Sequence, residues 1–206
     1  NKIGLILLFL IFLCANSSAQ EKEFVIRGQL PGMRDSIVVS LLTAEELPTT
    51  TICETVVKDG CFELRGRVKG PMLCTLITTN IGSLTEGEKI RWTYTPVFVD
   101  NVEMRVQTSH YDSIPLDAPI TSDFKITGGR VQADFNEYNL WKLQGKGDKD
   151  FILAHPSSAI SVYLGNKMLR MGYNLTRGEV EELEKTIVGA REDLERCATC
   201  RRNCPL

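Results

Sequence analysis

Hydrophobic and polar residues alternate along the first half of the chain, in short stretches that turn residues separate. Phe62 and Leu64, for example, alternate with Glu63 and Arg65, a period of two residues that is typical of a β-strand with one buried face. The stretches recur about every 8 to 12 residues without a helical pattern between them, which predicts an antiparallel sandwich or an open barrel. We predict strands over residues 24–28, 36–42, 49–57, 61–68, 72–79, 90–94, 96–99, 102–108 and 124–127, and a loop over 109–122.

The strands at 49–57 and 61–68 are predicted to form a hairpin. Asp59-Gly60 between them supplies the positive φ angles that a tight primed turn requires. In that hairpin Cys53 and Cys61 would lie too far apart along the ladder to form a disulfide with each other.

The hydrophobic period lengthens to three or four residues after Gly128-Gly129, which indicates helices. A charged linker is predicted over residues 145–150, after the first of these helices. The residues that share one face of the first helix are Val131, Phe135, Tyr138 and Trp141.

Two further helices are predicted to form a hairpin with an apolar seam. The second helix begins near Pro156, ends at Gly172 and buries Ile160, Leu164, Met168 and Met171. The third opens with a T-x-x-E capping box, and its apolar residues recur at Val180, Leu183, Ile187, Ala190 and Leu194. The predicted fold class is therefore mainly β with C-terminal α: an antiparallel β-sandwich or open barrel followed by a helical hairpin.

The N-terminal residues have the pattern of a secretory signal peptide. Lys2 is cationic, residues 3–13 are apolar, and the small residues at 16–19 precede a cleavage site. A membrane anchor is the alternative, but the run has about half of the 20 apolar residues that a span requires. A lipid anchor at Cys14 is weaker still, because Leu13 stands where that motif has a small residue. We predict a signal peptide over 1–19, a β-rich domain over 20–129 and a helical connector with a Cys-rich tail over 130–206.

The predicted location is the periplasm or cell envelope, with no transmembrane span after cleavage of the signal peptide. The chain has 24 basic and 26 acidic residues, a net charge of −2, so it lacks the basic excess of nucleic-acid-binding proteins. Its two histidines, His110 and His155, leave little room for imidazole-based catalysis or catalytic zinc. No motif predicts a catalytic, cofactor-binding or metal site.

Two other motifs have simple interpretations. His110-Tyr111-Asp112-Ser113 contains the residue types of a nucleophile and its base, but neighbours along a loop do not make a triad. We interpret this segment as a solvated loop. Trp92 and Tyr94 share one face of a predicted strand, where packing is the default interpretation.

Six of the seven cysteines remain after the predicted signal peptide is removed, in an oxidising compartment. Six thiols allow 15 pairings, so their connectivity cannot be read from the sequence. Cys53, Cys61 and Cys74 lie in predicted strands, and we interpret them as small apolar strand residues or free thiols.

Cys197, Cys200 and Cys204 are the candidates for redox chemistry or a disulfide. The C-x-x-C spacing places two thiols one helical turn apart, and Arg201 and Arg202 would favour the thiolate. Thioredoxin-type sites instead open a helix after a strand, a context that the sequence lacks here. Three interpretations stay open: a structural disulfide, an active dithiol, and a zinc site, for which no fourth ligand is evident.

Several segments together resemble a known domain. They read F-V-I-R-G-Q-L (24–30), D-S-I-V-V-S-L (35–41), T-V-V-K-D-G-C-F-E-L-R-G-R-V (55–68), Gly70-Pro71 and I-T-G-G (126–129). This series resembles the domain of unknown function that precedes the thioredoxin fold in secreted TlpA/ResA-like thiol-disulfide oxidoreductases. Residues 151–164 and 172–183 resemble the helical connector between the two domains of those proteins.

The resemblance implies a non-catalytic accessory or binding module of the bacterial cell envelope, either solitary or part of a longer reductase. In such proteins the connector leads into a W-C-x-x-C site, which this sequence does not contain, so no catalytic cysteine can be assigned from the resemblance. The alternative is a small thiol-disulfide redox protein that uses the C-terminal C-x-x-C. The sequence identifies neither the envelope partner or ligand nor the oligomeric state.

Overall fold

The computed structural model describes residues 22–45, 47–114, 124–171, 173 and 175–203, and the side chains of the last helix as far as Ala190. The strands are β1 (Phe24–Gln29), β2 (Val38–Thr43), β3 (Thr51–Val56), β4 (Cys61–Gly66), β5 (Met72–Thr79), β6 (Trp92–Val99), β7 (Glu103–Gln107) and β8 (Lys125–Thr127). The helices are α1 (Arg130–Leu143), α2 (Asp148–Ala154), α3 (Ala159–Arg170) and α4 (Arg177–Asn203).

The strands form two four-stranded sheets that pack face to face and do not close into a barrel. The first sheet has the order β4-β1-β7-β8, with β1 and β7 parallel, and the second has the antiparallel order β3-β2-β5-β6. This arrangement confirms the predicted sandwich followed by helices. Apolar side chains from alternate strand positions fill the space between the sheets, and their removal from water is the main stabilising contribution. They include Phe24, Ile26, Val39, Leu41, Phe62, Leu64, Leu76, Val97, Met104 and Val106.

The predicted hairpin between β3 and β4 is wrong beyond its turn. Asp59 and Gly60 have φ angles of 53° and 67°, and Lys58 pairs with Cys61 across them, as a primed turn requires. However, β3 pairs with β2 in the second sheet, whereas β4 pairs with β1 in the first. The turn therefore connects two layers, because the apolar sides of both strands are buried only if the chain crosses from one sheet to the other.

β6 is a single strand where the sequence predicts two. Pro96 lies inside it and is tolerated because β6 is an edge strand, whose outer N–H groups have no ladder partner. The Phe98 N–H faces the same edge as Pro96, and it donates to Gln132 Oε1 on α1 at 2.8 Å. A helix side chain thus covers part of the edge of the second sheet.

Four α-helices follow the sandwich in the part of the chain that the structure describes, although the sequence predicts three. α2 begins at Asp148, inside the predicted linker over residues 145–150, and buries Phe151 and Ile152. With seven residues, α2 is too short to show a clear helical period in the sequence.

α3 begins after Ser158 rather than near Pro156. Ser158 Oγ accepts a hydrogen bond from the Ile160 N–H at 3.1 Å and caps the helix. Met171 follows the last residue of α3 and is exposed, so the prediction that it is buried is wrong.

The predicted capping box at the start of α4 is confirmed. The Thr176 N–H and hydroxyl both donate to Glu179 Oε2 at 2.9 Å, and the Glu179 N–H donates to Thr176 Oγ1 at 3.3 Å. The hydrogen bonds from Thr176 and from Lys149 lower the pKa of Glu179 to about 2.

The helices have a core of their own, which packs against Phe98 of β6. The buried carboxylate of Asp148 connects the helical elements through hydrogen bonds. Its Oδ1 accepts hydrogen bonds from Tyr138 Oη and Lys142 Nζ, both at 2.9 Å, and its Oδ2 accepts one from Tyr173 Oη at 3.3 Å. Burial alone would raise the pKa of Asp148, but the hydrogen bonds from Lys142 and Tyr138 outweigh it and hold the pKa below its usual value.

The β part ends at Thr127 and α1 begins at Arg130. The segment limits 1–19, 20–129 and 130–206 stay predictions, and the signal peptide lies outside the described residues. Among the helices of the described residues, none is both long enough and apolar enough to cross a membrane.

Candidate interaction surface

The outer face of the first sheet consists of charged side chains that pair with one another. Arg27 on β1 forms ion pairs with Glu63 on β4, at 2.7 Å, and with Glu103 on β7. Arg65 reaches the same Glu63 at 2.6 Å. Hydrogen bonds from Arg65 and Arg27 lower the pKa of Glu63. Exposed pairs of this kind add little to stability, but they keep the face well solvated.

The outer face of the second sheet is mainly apolar at the end nearest the β5–β6 loop. Two rows of outward-facing side chains, each crossing all four strands, lie nearest the β5–β6 loop. The one charged residue in these rows is Glu54, whose carboxylate accepts a hydrogen bond from Ser40 Oγ at 2.7 Å. Antiparallel sheets commonly leave one face to water, and that face is usually polar. From β3 to β6, the two rows read Val56, Val38, Thr79, Trp92 and Glu54, Ser40, Ile77, Tyr94.

β6 reverses the usual relation between polarity and burial. Thr93 is fully buried and Thr95 nearly so, whereas Trp92 is 37% exposed and Tyr94 is half-buried on the outer face. The two aromatic rings stack on each other with centroids 5.4 Å apart and an interplanar angle of 13°. The strand thus directs its hydroxyls inward and its rings outward, the opposite of what the hydrophobic effect favours.

Hydrogen bonds compensate for the burial of Thr93 on the inner side, whereas Thr95 Oγ1 is buried without a hydrogen-bond partner among the described residues. Thr78 Oγ1 lies 2.5 Å from Thr93 Oγ1 and 2.7 Å from Tyr111 Oη, which places all three in one hydrogen-bonded group. Burial raises the pKa of Tyr111. Tyr111 is fully buried, so the prediction of a solvated loop around it is wrong at this residue.

The loop between β5 and β6 adds exposed apolar side chains at the end of the same face. Ile81 is 53% exposed, Leu84 37% and Ile90 49%. Ile81 lies in a short 3-10 helix, Ile81–Ser83, that follows β5, and Ile90 lies two residues before Trp92, the first residue of β6. We call the resulting surface the apolar face; it consists of Val56, Ile77, Ile81, Leu84, Ile90, Trp92 and Tyr94.

Hydrogen bonds hold this loop in place. Asn80 Oδ1 accepts from the Arg91 N–H at 2.7 Å and so closes the base of the loop. The Glu88 carboxylate accepts from the Thr85 N–H at 3.1 Å and the Thr85 hydroxyl at 3.0 Å, and it pairs with Arg34 from the β1–β2 connection. The exposed apolar residues are therefore presented on an ordered scaffold.

A groove of about 670 Å³ lies between the second sheet and α3. Tyr163 forms one wall and packs edge-on against Phe98, with ring centroids 5.4 Å apart. Burial and the neighbouring Glu45 raise the pKa of Tyr163 to about 12. Asn166 and Arg170 line the rim. Its volume is in the range of small-molecule sites, which makes it the second binding candidate on this side of the molecule.

A family model for a domain of unknown function, DUF4369, matches residues 24–135, just over half of the chain. The chain belongs to the DUF4369 family. The match extends from the first residue of β1 into α1 and includes the whole apolar face. No curated protein and no solved structure matches the chain. The family membership confirms the predicted domain of unknown function and leaves its thioredoxin context a prediction.

The described cysteines of this DUF4369 chain lie apart from the apolar face. Cys53 and Cys61 are free thiols, as predicted for this pair, and they belong to different sheets. Burial raises the pKa of Cys53 to about 11, whereas Cys61 is exposed in a groove of about 590 Å³ on the charged face. Cys74 is buried in the core of the sandwich.

The three candidate redox cysteines lie at the C-terminal end of the sequence. Cys197 and Cys200 belong to α4, but their side chains lie outside the described residues, as does Cys204 entirely. Within the described part of the chain, no group of three or more His, Cys, Asp or Glu side chains could hold a metal ion.

Sequence reasoning missed the apolar face of this DUF4369 domain, although a signal for it was present. In the segment W-T-Y-T, aromatic residues alternate with threonines, and the period alone does not say which set faces the core. The neighbouring strand offers both Thr78 and Ile77 as partners, so it does not decide the orientation either. The informative signal was Tyr111, a second hydroxyl-bearing residue that could satisfy an inward threonine.

Proposed function

We propose that this DUF4369 chain is a non-catalytic binding module of the bacterial cell envelope that acts in the setting of thiol-disulfide oxidoreductases. The observation that carries the proposal is the inversion of β6, in which Trp92 and Tyr94 face outward while Thr93 is buried. Exposing aromatic rings costs free energy in a free monomer, and contiguous exposed apolar patches mark interaction sites.

The contrast between the two outer faces supports the same function. The first sheet has paired charges around Arg27 and Glu63, whereas the second has stacked rings and aliphatic side chains. A partner that buries apolar surface therefore gains from contact with one face and not with the other. The predicted signal peptide supports the envelope location, and the resemblance to the domain that precedes a thioredoxin fold supports the redox setting.

Site-specific photocrosslinking in the native bacterium tests this proposal. Benzoylphenylalanine replaces Trp92 on the apolar face or, as the matched control, Arg105 on the outer face of the first sheet. We expect adducts with an envelope component from position 92 and none from position 105. Equal labelling at both positions, or no adduct at position 92, would contradict a binding function of the apolar face.

A further inference from the structure

The outer edge of β6 is a row of backbone groups that are available for hydrogen bonds. Backbone groups of an antiparallel strand alternate between its two sides, and the Phe98 N–H points away from the sheet, to Gln132 on α1. Trp92, Tyr94 and Pro96 share this direction by alternation. Within the described part of the chain, no residue bonds to the outward backbone groups of Trp92 or Tyr94. We propose that the stretch 92–96 binds an extended peptide segment of another envelope protein as an added β-strand.

The hydrogen-bonding groups of this edge select a peptide backbone as the partner. Trp92 and Tyr94 each offer an outward N–H donor and an outward C=O acceptor, whereas Pro96 offers only its C=O. A second antiparallel strand has donors and acceptors at the same spacing, and main-chain hydrogen bonds supply the affinity when a strand is added. This inference rests on the proposed binding function and names the form of its partner.

The distribution of charge distinguishes β6 from the other edge strands. Of the four edge strands that the structure describes, β6 is the one without a charged residue. β3 contains Glu54, β4 contains Glu63 and Arg65, and β8 contains Lys125. Charged side chains on an edge strand oppose pairing with another chain, and natural proteins use them to protect their edges. The segment W-T-Y-T of β6 instead consists of residues that favour strands.

The side chains next to the edge indicate which residues the added strand contains. Paired residues have their side chains on the same face, so alternate peptide residues would lie beside Trp92 and Tyr94, where β-branched and aromatic residues pair well. On the inner face, Thr95 Oγ1 is buried without a hydrogen-bond partner among the described residues. A serine or threonine opposite Thr95 can supply that bond. We therefore expect a segment in which apolar residues alternate with small hydroxyl residues.

The length of the free stretch fits one short strand. At roughly 3.4 Å per residue, the edge from Trp92 to Pro96 is about 14 Å long. Beyond it, the Phe98 N–H is already bonded to Gln132. A stable interface between two folded proteins buries about 800 Å² on each partner, far more than an edge of this length presents. A flexible segment therefore suits the edge better than a second copy of the folded chain.

Hydrogen exchange of the free protein tests whether the edge is unpaired. The protein is purified from isotope-labelled native bacteria, and nuclear magnetic resonance follows each amide. Because Thr93 faces β5 and Tyr94 faces the edge, we expect the Tyr94 amide to exchange at least about tenfold faster than the Thr93 amide. Equal protection of the two amides would show that this chain or a second copy already covers the edge, and would overturn the inference.

Two variants at Tyr94 isolate the role of its N–H in the crosslinking experiment. Tyr94→Val and Tyr94→Pro both lack the ring, but only Tyr94→Pro lacks the N–H. Pro96 shows that the strand accommodates proline at an outward position. With benzoylphenylalanine at position 92, we expect about tenfold less adduct from Tyr94→Pro than from Tyr94→Val, because a main-chain bond is lost. Urea denaturation checks that both variants fold.

The outcomes separate failure of this inference from failure of the proposed function. Equal adduct yields from Tyr94→Val and Tyr94→Pro would overturn strand addition and leave the binding module standing. No adduct at position 92 in the parent protein would contradict both. If Tyr94→Pro does not fold, hydrogen exchange of the purified parent adduct decides: protection of the Tyr94 amide supports an added strand, and unchanged exchange overturns it.

Discussion

Gly128 shows how a single residue fixes the junction between the sandwich and the helices. Its φ angle is +114°, and a Cβ atom there would lie 2.3 Å from the carbonyl oxygen of Glu103 and 2.6 Å from Met104 Cα. Both atoms belong to the backbone of β7, so they cannot move without disturbing the first sheet. Only glycine satisfies the conformation and the close approach together.

We expect Gly128→Ala to lower the free energy of unfolding by about 3 kcal/mol through strain and steric overlap. Gly70→Ala is the control, because nothing lies within 4 Å of a Cβ at Gly70, and it should change stability by less than about 0.5 kcal/mol. Urea denaturation followed by circular dichroism measures both. Equal midpoints for the two variants would disprove the role of Gly128.

Two thiols of the sandwich, those of Cys53 and Cys61, should differ in reactivity. The pKa of Cys53 is raised to about 11, so at pH 8 only about one molecule in a thousand has the thiolate at this position. Cys61 is exposed. We expect iodoacetamide to alkylate Cys61 at least about tenfold faster than Cys53, because the thiolate is the nucleophile. Timed quenching and peptide mass spectrometry measure the two rates, and equal rates would contradict the prediction.

At the scale of elements, Asp148 connects α1 with α2 and with Tyr173 in the α3–α4 connection. Sequence reasoning placed this residue in a linker, because a carboxylate in a charged segment gives no sign of being buried. Its role depends on Tyr138 and Lys142, which lie one turn apart on α1 and approach it only after the helices pack. The set of hydrogen bonds around Asp148 is therefore a product of tertiary structure.

The pH dependence of the free energy of unfolding should reveal the contribution of the Asp148 carboxylate. The folded pKa of Asp148 lies below its usual value, so its contribution is complete above about pH 4 and is lost as the pH falls through the folded pKa. We expect Asp148→Asn to lower stability by about 1–3 kcal/mol at pH 7 and by progressively less below pH 4. Urea unfolding of both proteins between pH 2 and 7 measures the difference. A difference that is constant with pH would contradict this account.

β6 shows why a strand can be predicted while its orientation cannot. The period of two residues correctly indicated an extended segment, yet aromatic residues and threonines occupied alternate positions. The hydrogen bonds of Thr78 with Thr93 and Tyr111 stabilise Thr93 on the inner side. Two of these partners come from other elements, so the strand alone does not contain the information.

At the scale of the whole molecule, the two outer faces of the sandwich differ in kind. The outer face of the first sheet is a network of ion pairs, whereas that of the second sheet is mainly apolar. The helices cover the outer face of the second sheet only at the end that contains Phe98. This asymmetry gives the molecule one mainly apolar side, on which the apolar face and the groove against α3 both lie.

The dithiol alternative makes a different prediction for the whole protein. If the chain is a binding module, wild type and Cys200→Ser should reduce insulin disulfides with dithiothreitol at the same rate as dithiothreitol alone. Thioredoxin serves as the positive control. Activity in the wild type that disappears in Cys200→Ser would establish a dithiol enzyme and contradict the non-catalytic function.

The sequence by itself determined the fold class of this DUF4369 chain and several features of its local structure. Strand period, the turn at Asp59-Gly60 and the capping box at Thr176 depend on neighbouring residues, so each could be predicted without the rest of the molecule. Tertiary structure alone decided that β3 and β4 belong to different sheets, and that Trp92 faces outward. These outcomes depend on which distant side chains meet, and a strand that fits either face acquires its direction only when its partners are in place.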